Sequence, residues 1–242
     1  MRFLITRPAE DAAPLAAELT LRGHEPITDA VMTIIDVADP SLSLDDVQAL
    51  LITSANGIRA FARAWPDCSP GDHALTVLAV GDASGWAARA LGFNDVRIAG
   101  GDVDTLAAMV KKEIDPASGA LVHIAGTHRA GDLSDMLSRA GFVVRRHVLY
   151  EAHAAEALGP KSADALKTGG LDGVLLYSPR TAALFGQLVA DAGLADRCQA
   201  VTAFCLSAAV ADKAQGLPWA GTVVAETPDQ AALLQAIEAA SR

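Results

Sequence analysis

Two stretches of this chain repeat one construction. Leu51–Phe61 reads LITSANGIRAF, and Val174–Phe185 reads VLLYSPRTAALF. In the first, an apolar run (Ala49, Leu50, Leu51, Ile52) ends in Thr53, Ser54, Ala55, Asn56 and Gly57. Ile58, Phe61 and Ala62 then fall on one side of a helix. In the second, Val174, Leu175, Leu176 and Tyr177 run into Ser178, Pro179, Arg180 and Thr181, and Ala183, Leu184 and Phe185 follow. A short apolar run, a polar turn and a helical period spell buried strand, tight turn, helix. Ser54 and Ser178 lie 124 residues apart (178 − 54), so the pattern predicts two similar lobes with a site between them.

The rest of the chain alternates in the same way. Arg2–Thr6 reads as a strand, and a helix carrying Leu15, Ala16 and Leu19 inward stops at Gly23. Pro8 suits the first turn of that helix, where a missing N–H costs nothing. Ile27–Val37 is strand-like, broken by Asp39, Pro40 and Ser41, and Leu44–Gln48 is expected to begin a short helix. Pro66–Asp72 reads as a loop. Strands are predicted at Leu75–Val80, Val96–Ala99, Ala120–Ala125, Phe142–Tyr150, Ala200–Leu206 and Thr222–Ala225. Helices are predicted at Gly85–Leu91, Asp102–Ile114, Gly131–Arg139, Ser162–Lys167, Ser207–Gln215 and Pro228–Ala240. Flat apolar runs alternating with helices imply parallel sheets covered on both faces, an α/β class.

The order of the repeats sets the expected domains. Leu51–Gly92 matches Leu175–Gly216 at the offset of 124, pairing Ser54 with Ser178 and Phe61 with Phe185. The opening residues match a different place: Leu15, Leu19 and Gly23 correspond to Leu133, Leu137 and Gly141, an offset of 118 (133 − 15). The opening strand–helix–strand unit thus has its counterpart at the end of the middle block. A tandem repeat would not give that order. The expected solution is a discontinuous lobe 1 (residues 1–37 plus 152–242) and a continuous lobe 2 (38–151), joined by two crossings that form a two-stranded hinge. Ligands of such sheets bind beyond the carboxyl ends of the strands, where both Ser turns fall.

Composition narrows the function. A 51% hydrophobic chain of 242 residues can bury a sizeable core. The formal net charge of −10 argues against nucleic acid, and no basic amphipathic segment marks a membrane surface. No apolar run reaches the roughly 18–20 residues of a membrane span, and the start MRFLITRPAED turns polar too soon for a signal peptide. Cys68, Cys198 and Cys205 lack Cys-x-x-Cys spacing and suit a reducing compartment. These features predict a soluble, cytoplasmic protein. His24, His73, His123, His128, His147 and His153 contain no His-x-x-x-His pair, so no metal is expected.

The opening LITRP, the TSANG turn, VGDAS before a helix to LGF, GTHRAGDLSDMLSRAGF, the VLYE strand and the YSPRTAALF turn together resemble the uroporphyrinogen-III synthase family. The resemblance runs the length of the chain in the right order. It implies two flavodoxin-like lobes joined by a two-stranded hinge, in agreement with the repeats. It implies that linear hydroxymethylbilane closes to uroporphyrinogen III, with water lost from the hydroxymethyl group and ring D inverted by rearrangement of a spiro intermediate, and without metal or organic cofactor. The upstream hydroxymethylbilane synthase is a transient partner on this reading. One departure is Leu206, where the family pattern leads us to expect glycine, with Ser207 next to it.

Such a substrate is a polycarboxylate, and a chain of net −10 must bind it locally. Helix N-termini carry unpaired N–H groups and a positive dipole end. The candidate turns are Thr53–Ser54–Ala55–Asn56, Gly81 to Ser84, Gly126 to Gly131 and Ser178–Pro179–Arg180, with Ser207 at a fifth; Arg7, Arg129, Arg180 and His128 add candidate carboxylate contacts. Asp82 would repel the substrate and is read as a helix cap. Tyr150, in VLYE, matches the family's hinge tyrosine and is the candidate proton or hydrogen-bond donor to the departing hydroxyl, with Tyr177 a substitute. Arg145 and Arg146 read as a solvated strand face. No Gly-x-Ser-x-Gly surrounds Ser54 or Ser178, so neither is read as a nucleophile. The alternative reading is a two-lobe binding or regulatory protein that keeps the fold. A phosphate-dependent enzyme is disfavoured, since neither glycine-rich phosphate motif is present.

Overall fold

The computed structural model describes residues 1–39, 41–66, 75–127 and 132–240. In chain order these run β1 (Arg2–Ile5), α1 (Ala9–Leu21), β2 (Glu25–Thr28), β3 (Met32–Asp36), β4 (Val47–Ile52), α2 (Ala55–Ala64), β5 (Thr76–Ala79), α3 (Asp82–Ala90), β6 (Val96–Ile98) and α4 (Val103–Glu113). There follow β7 (Ala120–Gly126), α5 (Leu133–Ser138), β8 (Val144–Ala154), α6 (Pro160–Thr168), β9 (Gly173–Leu176), α7 (Pro179–Asp191), β10 (Thr202–Cys205), α8 (Ala208–Ala214), β11 (Gly221–Val224) and α9 (Gln230–Ala240).

The chain divides into two units, Met1–Thr33 with His153–Arg242, and Ile34–Ala152. It passes from one to the other within β3 and returns within β8, and these two strands are neighbours in one sheet. The first unit holds a parallel five-stranded sheet ordered β11-β10-β9-β1-β2. The second holds β3-β8-β7-β4-β5-β6, with β4 through β8 paired in parallel. Apart from β3, the two sheets share one spatial order if β9, β10, β11, β1 and β2 stand for β4, β5, β6, β7 and β8. The first unit is therefore a circular permutation of the second, as the two sequence offsets require. This is the flavodoxin-like arrangement, whose strand order reverses between β4 and β7 in one sheet and between β9 and β1 in the other.

Each sheet is buried on both faces, which is why its strands are flat apolar runs. Leu50 and Ile52 face one core and Ala49 and Leu51 the other. Likewise Val174 and Leu176 face one core of the five-stranded sheet and Leu175 the other. The paired phenylalanines anchor equivalent helices: Phe61 stacks on Trp65 at 6.5 Å, and Phe185 on Trp219 at 6.1 Å.

Several expectations change. Leu44–Gln48 begins no helix. Asp45 and Asp46 form a turn, Asp46 takes a φ of 59°, and β4 starts at Val47. Gly119 lies so close beneath that a Cβ there would sit 2.5 Å from the Asp46 carbonyl oxygen. Ile27–Val37 is two strands, because the Asp29 carboxylate turns aside to accept the Gly159 amide at 2.7 Å. Helix α3 begins at Asp82, not Gly85. Gly85 lies inside it, where a Cβ would meet the Ile98 side chain at 2.5 Å. Pro8 precedes α1 as its cap residue, and β8 continues as strand to Ala154. The 124-residue offset also slips. Ile52 pairs with Ala79 and Leu176 with Cys205, so these partners stand 126 apart (205 − 79). The Pro66–Asp72 loop, Cys68, His73, Pro40 and Gly131 fall, wholly or for the most part, outside the described residues.

Candidate functional site

In the second unit the strand order reverses between β4 and β7, and their carboxyl ends carry the first candidate turn. Ser54, in extended backbone, caps α2: its hydroxyl accepts the Asn56 amide at 3.2 Å, and its carbonyl accepts the Gly57 amide at 3.0 Å. The Ser54 hydroxyl thus acts as an acceptor for the helix backbone. Thr53, Ala55 and Asn56 are half-buried around it.

Tyr150 lies at this same place. A bulge between Ala125 and Gly126 brings Gly126 opposite Tyr150, and the Thr127 amide donates to the Tyr150 carbonyl at 3.1 Å. The half-buried ring rests directly on glycine backbone. A Cβ on Gly126 would lie 2.8 Å from two ring carbons and 3.2 Å from the phenol oxygen. A Cβ on Gly57 would lie 3.7 Å from the other ring edge. The missing side chain at Gly126 therefore leaves room for the phenol. His128 and Arg129, just beyond it, lie outside the described residues.

In the first unit the order reverses between β9 and β1, where Arg7 and Ser178 stand. Ser178 caps α7, accepting the Thr181 amide at 3.1 Å and meeting the Thr181 hydroxyl at 2.7 Å. Pro179 takes the first helical position and Arg180 is exposed beside it. Arg7 is held within its own unit. Its guanidinium lies 4.2 Å above the centre of the Tyr177 ring, 3.3 Å from the Asp11 carboxylate and 3.3 Å from the Gln230 side-chain oxygen. Tyr177 packs against the α1 and α9 core beneath it, and its hydroxyl is buried beside the Arg7 guanidinium. Burial pushes this phenol up to about 12, with the Arg7 guanidinium pulling the other way.

The remaining turns are plainer. Gly81 caps α3 in extended backbone, with Ser84 buried in the first turn and Asp82 exposed. Ser207 stands before α8 and makes no side-chain cap bond, while Leu206 packs against both cores of its unit. Leucine fills core space at this turn, where glycine was expected. Cys198 and Cys205 are buried free thiols pushed up to about 11 by burial, and so unreactive. Among the described residues no cluster of three metal-ligating side chains occurs, and no helix is long and apolar enough to cross a membrane.

Sequence reasoning missed the residues that hold the site together. Arg146 does not lie on a solvated face. Its guanidinium donates to the Gly126 carbonyl at 2.6 Å. Arg145 reaches the Asp45 carbonyl at 2.8 Å. His123, cross-strand from Arg146, is buried against the Ser134 hydroxyl at 3.3 Å, and burial with the nearby arginine charge lowers it to about 4. His147 is also buried, 2.8 Å from the Asp39 carboxylate. The legible signal was position: Arg146 stands four residues before Tyr150 on one strand.

Fold and turns together define a two-unit, doubly wound α/β protein with polar helix-capping turns at the reversal point of each sheet. The uroporphyrinogen-III synthase HemD family model matches residues 13–235, and the chain belongs to this family. Its function is accordingly formation of uroporphyrinogen III from hydroxymethylbilane in tetrapyrrole biosynthesis. Two solved structures share the fold. Uroporphyrinogen-III synthetase from Helicobacter pylori has a TM-score of 0.64 at 15% identity, with both chains covered over 100%. A mutant uroporphyrinogen III synthase from the extremely thermophilic bacterium Thermus thermophilus has a TM-score of 0.60 at 17% identity, covering 100% of this chain and 98% of that one. No curated protein matches the chain by sequence.

Proposed function

We propose that the chain works as a cyclising hydro-lyase in which Tyr150 delivers a proton or hydrogen bond to the hydroxyl leaving the hydroxymethyl group. Water departs, and ring D attacks the resulting electrophilic methylene through the carbon that already carries its bridge, giving a spiro intermediate. The older bridge bond then breaks and re-forms at the other α-carbon of ring D, and loss of the proton there gives the type III macrocycle. The observation that carries this reading is the Tyr150 phenol seated between Gly57 and Gly126 at the reversal point of its sheet. Capping turns at Thr53–Asn56, Gly81–Ser84, Ser178–Arg180 and Ser207, with Arg7, Gly126, His128 and Arg129, supply contacts to substrate carboxylates and to charge that develops in the reaction. Residues 1–37 with 152–242 and residues 38–151 serve as two bodies, and each carries turns suited to carboxylates. Holding both ends of a flexible tetrapyrrole then does most of the catalytic work.

The test is to supply hydroxymethylbilane and separate the type III and type I isomers. Type III product supports the reading; type I alone, the spontaneous product, defeats it. The same reading puts the enzyme in the cytoplasm, taking substrate from hydroxymethylbilane synthase by transient contact and using no metal or organic cofactor. Cell fractionation checks the location. Type III yield in a coupled assay at rising dilution checks the contact, and activity after exhaustive chelation checks the metal.

A further inference from the structure

Gly126 sits where the β7–β8 ladder is interrupted, so its backbone is not held by regular pairing alone. What holds its carbonyl is a side chain: Arg146, four residues before Tyr150 on β8, donates to it at 2.6 Å. The Tyr150 ring fills the space that a side chain on the same glycine would take. The next amide, Thr127, donates to the Tyr150 carbonyl. A guanidinium, a carbonyl, a glycine Cα and a phenol ring thus form one contiguous chain. A bond from a charged donor to a part-buried carbonyl is stronger than a neutral one, and it fixes the peptide plane beneath the ring. We propose that Arg146 is a positioning residue for Tyr150, setting the place of the phenol oxygen through the Gly126 carbonyl rather than by touching substrate.

This inference rests on Tyr150 as the donor, and the experiment separates the two claims. Kinetics are compared for Arg146→Gln, Arg146→Lys, Tyr150→Phe and the double variant Arg146→Gln/Tyr150→Phe. Misplacing a catalytic group without removing it lowers kcat and leaves substrate binding alone. Arg146→Gln is expected to lower kcat roughly tenfold with KM within about twofold. Arg146→Lys, which keeps one charged donor, recovers most of the loss. The double variant should be no slower than Tyr150→Phe. Multiplying losses in the double variant, or a raised KM at unchanged kcat, overturns the proposal, because Arg146 would then act independently of the phenol.

A second readout needs no turnover. The chain has two tyrosines, so in a Tyr177→Phe background Tyr150 is the only source of the 3-nitrotyrosine that tetranitromethane forms. Arg146→Gln should speed that nitration several-fold as the ring leaves its glycine seat, and an unchanged rate overturns the proposal. If Tyr150→Phe turns over normally, the donor reading fails, and the nitration rate alone decides whether Arg146 positions the ring.

Discussion

The two reversal points share a construction and differ in what their tyrosines touch. Both carry a serine that caps the following helix, and both have a tyrosine beside it, Tyr150 within β8 and Tyr177 directly after β9. Tyr150 lies on glycine backbone, half-buried, beside the bulge of its sheet. Tyr177 lies under a guanidinium, and its hydroxyl is sealed from solvent. Duplication of the turn has therefore not duplicated its chemistry. A capping serine needs only the backbone of its own helix, so it survives in both copies. A tyrosine's role depends on what the neighbouring strand brings to it. Here β7 brings a glycine to one phenol, and β1 brings an arginine to the other.

The sharpest way to break this contrast is Gly126→Ala. The new Cβ would collide with the Tyr150 ring at 2.8 Å, so the ring must shift. Displacing the ring is expected to lower turnover by roughly a hundredfold, and the overpacking to cost about 1–3 kcal/mol of stability. Steady-state kinetics and urea unfolding measure both; a variant with unchanged turnover would show that the glycine seat has no part in catalysis. Tyr150→Phe leaves the ring in place and removes only the hydroxyl. Loss of a donor to a leaving group is worth about a hundredfold or somewhat less when positioning carries most of the rate. Tyr177→Phe, by contrast, should leave kcat within about twofold, because the aromatic face beneath Arg7 persists. Equal losses in the two variants would erase the distinction between the sites.

How much of this was legible follows from range along the chain. Strand, serine cap and helix are local, so LITSANG and YSPRT declared themselves, and the mismatch between the offsets 124 and 118 already spelled a permuted repeat. The 126-residue spacing of the strand ends was not legible, because register is set by pairing across the sheet. Leu44–Gln48 looked helical only because the local pattern gave no sign of the turn at Asp45–Asp46. The role of Gly126 depends on a ring 24 residues away (150 − 126), and that of Arg146 on a bulge no local pattern announces. Gly126 was marked as a turn, but what made it a glycine was hidden.

The serines test the shared half of the comparison. Each →Ala change removes a helix cap, worth about 1 kcal/mol. Ser178→Ala should cost more than Ser54→Ala, since it also strips the Thr181 hydroxyl, at a nearly buried residue, of its 2.7 Å partner. Denaturant midpoints measure the difference. Both variants should keep substantial turnover, and a collapse in Ser54→Ala alone would reopen Ser54 as a nucleophile.

The smallest effect on function, and the cleanest on the contrast, lies in the alkaline titration of the phenols. Tyr177 is raised to about 12, first by burial and against the opposing pull of Arg7. An acid raised in the folded state holds its proton longer there than in the unfolded chain. Between roughly pH 10 and 12 the unfolded state therefore binds fewer protons, and stability falls as pH rises through that window. An ultraviolet titration should show a phenolate component appearing only near pH 12 that vanishes in Tyr177→Phe. In Arg7→Met the missing cation should move that component higher still, because the one influence that lowers the phenol has gone. A shift downward would mean that the guanidinium shields the ring from water more than it stabilises the phenolate, and that Arg7 acts here as a cover for Tyr177 rather than as a charge beside it.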